Sequence, residues 1–290
     1  MDSITDWFEG VTPLLPEPRT ITVPSSGPAS IAGLKLAFRE AGPTDAPALV
    51  MLHGIGSNST GFRNQFTGFN DGFRAIAWDA PGYGESNDFA ADAPPASDYA
   101  DALAALLDAL LIQDCHLVGS SMGALIAVTF AARYPGRAKT LILSGPTTGR
   151  GASSPMEREA AVRGRIEVMD KFGPEGLAQR RAAFLLAPNA PPHVVRAARD
   201  VMARTRPRGY AQAARMVAGA DILPEARRIV TPTLICRGTE DKLGSGAQPL
   251  QEAIGDSELR MFTGVGHLIK LEAPGPFNAC IRNFISKRHR

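Results

Sequence analysis

Short apolar runs that end in glycine-rich turns alternate with amphipathic stretches along this chain, a pattern that restricts it to a parallel sheet with covering helices. Leu34 to Arg39, Ala48 to Leu52 and Phe73 to Trp78 read as strands. The second runs into His53-Gly54-Ile55-Gly56, and the third into Asp79-Ala80-Pro81-Gly82-Tyr83-Gly84. Ser97 to Ile112 has helical spacing, with Ser97 or Asp98 as its cap, and leads into the buried-strand run Cys115 to Val118. The run ALIAVTFAARYP that follows Gly123 is apolar all round and therefore predicts a buried helix, stopped by Pro135. Lys139 to Leu143 is the next strand.

The grammar then changes. From Thr147 to about Arg228 there are arginine-rich helical stretches broken by Pro174, Pro188, Pro191, Pro192 and Pro207, with no convincing strand. Strands resume at Thr233 to Arg237 and Glu258 to Phe262, with helices near Gln248 to Ile254 and from Pro276 to about Lys287. The expected organisation is one α/β core domain from residues 1–146 and 229–290, with 147–228 inserted as a helical cap. The 290 residues permit this, because single α/β domains often exceed 200 residues.

Composition matters mainly for what it excludes. The formal charge of +2 gives none of the basic excess that a phosphate-backbone binder uses, so nucleic acid is not an expected partner. Cys115, Cys236 and Cys280 are odd in number, far apart and in no C-x-x-C arrangement, which argues against a disulfide framework or zinc site. The acidic start MDSITDWFEG is unlike a secretory leader, and no stretch of 18 apolar residues occurs, so a cytoplasmic protein without a membrane span is expected.

The chemistry-bearing signal is Gly119-Ser120-Ser121-Met122-Gly123, placed between an apolar strand and a buried helix. A serine on a tight strand-to-helix turn needs small neighbours so that its Oγ can stand above the sheet, with the helix dipole under a developing negative charge. Such a serine is a weak nucleophile without a base and a third group to orient that base. In the chain order serine, acid, histidine, the base is sought among His193, His267 and His289. His267 alone follows a strand and a Gly-x-Gly turn. For the acid, the strand Thr233 to Arg237 leads into Gly238-Thr239-Glu240-Asp241, and the physics of orienting His267 does not separate the two carboxylates. Backbone N–H groups of Met122 and Ile55 are the expected oxyanion donors. His53 reads as a loop-holding ring, and Asp79 as a brace of its own turn.

HGIG at 53–56, DAPGYGES at 79–86, GSSMG at 119–123, RGTED at 237–241 and GVGHLIKLEAP at 264–274 together resemble the α/β-hydrolase family, in its capped branch. The resemblance spans about residues 30–288. It implies a mostly parallel eight-stranded sheet flanked by helices, with a site between sheet and helical cap. It also implies Asp241 as the acid, from a GxxD loop, and His267 as the base, from a GHxxxxExP stretch. Within the branch the chain is similar to 3-oxoadipate enol-lactonase-like hydrolases and, more distantly, to carbon-carbon hydrolases of ring meta-cleavage products. Those carbon-carbon hydrolases usually carry Trp after the histidine, where this chain has Leu268.

The implied activity is hydrolysis of an ester, lactone or related acyl bond of a small molecule through an acyl-enzyme, with no cofactor and no metal. The alternatives are carbon-carbon bond hydrolysis with the same machinery, and a non-catalytic ligand receptor on the same fold. Homo-oligomer formation stays open. Thr147 to Arg228 carries 14 arginines and one lysine against eight acids, a net +7, so the expected substrate bears a carboxylate. Arg163, Arg165, Arg180 and Arg181 are candidates for that contact, although any one of them could coat a solvated helix face.

Overall fold

The computed structural model describes residues 15–288, so the start of the chain and His289 lie outside the described residues. The strands are β1 (Arg19–Thr22), β2 (Lys35–Ala41), β3 (Ala48–Leu52), β4 (Arg74–Asp79), β5 (Cys115–Ser120), β6 (Ala138–Ser144), β7 (Thr233–Gly238) and β8 (Ser257–Phe262). They form one sheet in the order β1-β2-β4-β3-β5-β6-β7-β8, parallel from β4 to β8, with antiparallel pairs only at β1-β2 and β2-β4. This is the expected mostly parallel eight-stranded sheet. Strand β1 is an addition, since Arg19–Thr22 falls in what reads as a proline-rich entry. It sits at the sheet edge between Pro18 and Pro24, where prolines cost the ladder nothing.

The helices are α1 (Arg63–Phe69), α2 (Ala96–Ala109), α3 (Met122–Arg133), α4 (Pro155–Arg181), α5 (Pro192–Met202), α6 (Pro207–Gly219), α7 (Leu223–Ala226), α8 (Ala247–Ala253), α9 (Ile269–Glu272) and α10 (Pro274–Arg288). Neither Ser97 nor Asp98 caps α2; the cap position is Pro95, which offers no side-chain bond, and Asp98 lies in the first turn, where a negative charge suits the helix dipole. Alternate residues of the strands feed two cores. Val50, Leu52 and Leu117 pack on one face with residues of α2 and α3, while Leu49, Met51 and Val118 meet Phe66, Phe69, Phe277 and Phe284 of α1 and α10 on the other. Truncating a fully buried leucine such as Leu117 to alanine would cost about 2–5 kcal/mol. Among the described residues no helix is long and apolar enough to cross a membrane.

Between β6 and β7 the chain forms α4 to α7, with no strand beyond the isolated bridge Gly149↔Asp221 that draws the two ends of the excursion together. The prolines act here as starters as well as breakers. Pro192 and Pro207 each open a helix, where the missing N–H is no loss, and α4 breaks at Gly173 (φ 65°) just before Pro174. Helix α6 is fastened to the loop after β4. Arg206 donates to the carbonyls of Gly82 and Ser86 and to Asp88, and Gln212 donates to the carbonyls of Phe89 and Ala91. Gly82 and Gly209 touch so closely that a Cβ on Gly209 would fall 1.9 Å from the Gly82 carbonyl oxygen.

Candidate active site

Strands β3 and β5 are neighbours, but the chain leaves β3 toward β4 and returns on the other side, so their carboxyl ends flank the topological switch point where open α/β sheets bind ligands. HGIG leaves β3 and Ser121 leaves β5 at this crevice. Ser121 has φ 55° and ψ −112°, a conformation that costs a non-glycine residue about 1–3 kcal/mol. The flanking glycines allow it. A Cβ on Gly119 would lie 2.4 Å from the Gly123 carbonyl oxygen, and one on Gly123 would lie 2.2 Å from that of Leu52.

The HGIG turn packs directly on this elbow, since a Cβ on Gly54 would lie 3.0 Å from Ser121 Cβ. His53 holds the turn as expected. Its Nε2 accepts from Ala80 N at 3.0 Å, which leaves Nδ1 to donate to the Gly54 carbonyl at 2.9 Å. Burial lowers its pKa to about 4, so the ring is neutral. The Asp79 carboxylate packs against Gly84 of its own turn, where a Cβ would lie 2.0 Å from Oδ2, and its Oδ1 also accepts from Ser59 N at 2.7 Å in a neighbouring turn. Ile55 lies in the turn facing the crevice, and Met122 opens α3, where a first-turn N–H has no intrahelical acceptor.

His267 and Asp241 meet in the interior, each 5% exposed. His267 Nδ1 lies 3.0 and 2.9 Å from the two carboxylate oxygens, and Asp241 Oδ1 also accepts from Leu243 N at 2.8 Å. Burial alone would raise the Asp241 pKa, but the hydrogen bond and charge of His267, the Leu243 N–H and Arg237 outweigh it and hold the carboxyl below its ordinary range. Glu240 is exposed, and among the described residues its carboxylate accepts only from the Thr239 hydroxyl. The structure thus brings Asp241, and not Glu240, to the imidazole. With Nδ1–H assigned toward Asp241, Nε2 is left for the crevice. Ser121 and His267 line the same cavity, and no hydrogen bond joins them among the described residues.

That cavity lies between the sheet edge and α4 to α6 and encloses about 70 Å³, room for a few waters. Arg165 and Arg181 of α4 enter it, together with Met202 and Tyr210. Arg165 Nη1 is buried with no hydrogen-bond partner, and neither guanidinium pairs with a carboxylate among the described residues. Burial is the main cause that lowers the Arg165 pKa. The other two candidate arginines lie elsewhere: Arg163 is exposed beside Glu167, and Arg180 stacks on Phe172 at 3.6 Å.

A reading of the sequence alone does not single out Lys270 or Ser57, and it meets Glu272 only as the glutamate of the GHxxxxExP stretch, without a role. Lys270 lies three residues after His267, in the short helix α9 that follows the histidine. Glu272 accepts from Gly266 N and Ala187 N, clasping the histidine loop to the helical excursion. Leu185 adds to that clasp by accepting from His267 N at 2.7 Å. Among the described residues no group of three or more His, Cys, Asp or Glu side chains could hold a metal ion. A larger open groove of about 840 Å³, between β8 and α10, contains none of these residues.

Residues 44–274 match the Hydrolase_4 family, described as serine aminopeptidase, S33. The chain is 30% identical over 265 residues to 2-hydroxy-6-oxo-6-phenylhexa-2,4-dienoate hydrolase of Comamonas testosteroni, covering 87% of this chain and 91% of that protein. It is 28% identical to 3-oxoadipate enol-lactonase 2 of Acinetobacter baylyi, covering 83% and 89%. Among solved structures, a thermophilic esterase from Thermogutta terrifontis with malate bound superposes with a TM-score of 0.84 at 26% identity, covering 94% of this chain and all of that one.

Proposed function

Because the chain belongs to the Hydrolase_4 family and is a hydrolytic enzyme of the α/β-hydrolase type, we propose that it cleaves an ester, lactone or related acyl bond of a small carboxylate-bearing molecule. In this reading Ser121 Oγ attacks the acyl carbon and His267 Nε2 takes its proton. Asp241 holds the imidazole in the required tautomer and stabilises the imidazolium. The N–H groups of Ile55 and Met122 receive the oxyanion, each worth about 3 kcal/mol in the transition state. His267 then protonates the leaving oxygen, and a water activated by the same Nε2 releases the acyl group.

The observation that carries this reading is the buried His267–Asp241 pair with Nε2 directed to a cavity shared with the strained Ser121. Residues 147–228 act in it as a cap. A cavity of about 70 Å³ falls well below the several hundred Å³ of ordinary ligand sites, so the cap helices must part to admit substrate. Arg165 and Arg181 take the substrate carboxylate, supplying the acceptors their guanidinium groups lack.

Carbon-carbon bond hydrolysis is the second reading, favoured by the 30% identity to the Comamonas protein and weakened by Leu268, which lines the cavity where those hydrolases usually carry Trp. Assay of p-nitrophenyl esters, enol-lactones and ring-fission dienoates, with Ser121→Ala as control, separates the two. A fluorophosphonate probe that labels the parent and not Ser121→Ala is expected, and absence of labelling would return the chain to the receptor class.

A further inference from the structure

Lys270 is 2% exposed, and in this interior position its ammonium enters no ion pair and no hydrogen bond among the described residues. Its Nζ sits 3.9 Å from the centre of the Phe62 ring, a contact that only partly offsets the loss of water around a charge. Burial pushes the amine down to about 7, with no acid acting against that shift. Lys270 and Ser57 both line the cavity, and the Ser57 hydroxyl is likewise without a partner among the described residues. The two meet over Gly61. The point where a Cβ on Gly61 would sit lies 2.9 Å from Ser57 Oγ and 3.6 Å from Lys270 Nζ, so the hydroxyl and the ammonium pack side by side against the same bare glycine, which alone lets them come this close to the backbone.

No aspartate or glutamate lines the cavity, so no protein carboxylate there pairs with this ammonium. We propose that Ser57 and Lys270, above Gly61, form a second carboxylate subsite, separate from Arg165 and Arg181 on the cap, so that the cavity takes molecules with an acid group at both ends. The subsite rests on the acyl-hydrolase reading only for its purpose, since it binds the anion whether or not Ser121 turns over. The hydroxyl and the ammonium donate to the two oxygens of one carboxylate, and the Phe62 ring holds the ammonium from behind.

Calorimetric titration at pH 6 with glutarate and pentanoate, acids of equal carbon number, tests it without turnover. Glutarate is expected to bind the parent at least tenfold more tightly than pentanoate. Lys270→Met should lose at least tenfold in glutarate affinity and less than threefold for pentanoate. Its melting temperature should not fall, because an unpaired buried charge is removed. Gly61→Ala, whose Cβ would fall 2.9 Å from Ser57 Oγ and push the hydroxyl aside while keeping the lysine, should reproduce the selective loss. An unchanged glutarate-to-pentanoate ratio in folded Lys270→Met, an equal loss for both acids, or no glutarate binding to the parent would each overturn the subsite. Failure of the fluorophosphonate to label Ser121 would instead overturn the acyl-hydrolase reading and leave these titrations standing.

Discussion

The carboxyl edge of the sheet and the helical excursion use their residues in opposite ways. At the sheet edge the backbone decides. Ser121 stands at the crevice because Gly119 and Gly123 leave no Cβ in the way of its strained turn, and His267 is placed by an N–H bond to Leu185 and a carboxylate from the loop after the neighbouring strand β7. In the excursion, helix face decides, and one residue type has three employments. Arg165 and Arg181 enter the cavity, Arg206 and Arg208 clamp α6 to the loop after β4, and Arg163 and Arg180 lie on the outside. The lesson is that a net charge of +7 over the excursion does not tell its arginines apart, while burial and missing partners do, and the proposed reading gives the substrate carboxylate to Arg165 and Arg181. Changes at the edge should therefore act on kcat, and changes in the excursion on selectivity or on stability.

The largest effects should come from the edge. Ser121→Ala and His267→Ala are each expected to lower kcat about 10⁶-fold with the fold intact, as members of one catalytic unit. Activity within tenfold of the parent in either variant would break the comparison at its root. Asp241→Asn should cost about 10⁴ in kcat by favouring the wrong imidazole tautomer, with Glu240→Gln inside twofold. The opposite ranking in steady-state assays would put the acid on the exposed residue.

In the excursion, Arg165→Met and Arg181→Met should reduce kcat/KM for an acid-bearing ester by about 10–100-fold, the worth of a charged hydrogen bond lost, and leave its methyl-capped analogue little changed. Added salt should narrow the difference between the two substrates in the parent enzyme. If both substrates suffer equally, these arginines only pack. Smallest should be Arg206→Ala, which removes half-exposed bonds to Gly82, Ser86 and Asp88; about 1 kcal/mol of stability, or some 2–4 °C in Tm, is expected by calorimetry. Arg163→Ala, exposed beside Glu167, should leave the melting curve within error and so supplies the control.

The same contrast explains what could be read from the sequence. The inner strands such as Ala48–Leu52 and Cys115–Ser120 and the GSSMG elbow are legible because parallel strands buried on both faces form apolar runs, and a strained turn admits few residues. Asp241 and Glu240 were inseparable by residue chemistry, and only the family spacing chose between them, since adjacent carboxylates differ in which one the loop buries. Arg19–Thr22 was missed because an edge strand of four residues with one ladder leaves no periodic signature. Lys270 carries no signal in the sequence, because its burial and its missing partner are properties of the packed interior.

Strands β6 and β7 pair directly, Leu141 with Thr233 through Ser144 with Cys236, although residues 145–232 intervene. In polymer terms the whole excursion is a loop whose ends are already pinned together. Closure entropy grows only with the logarithm of length, so halving or doubling the excursion would shift the free energy of closing that pair by about 0.6 kcal/mol. The sheet is therefore nearly indifferent to what hangs between its sixth and seventh strands. Selectivity can be rewritten by exchanging one contiguous segment, and the constraint on such grafts lies in matching the Leu185–His267 and Glu272–Ala187 bonds where the excursion rests on the histidine loop.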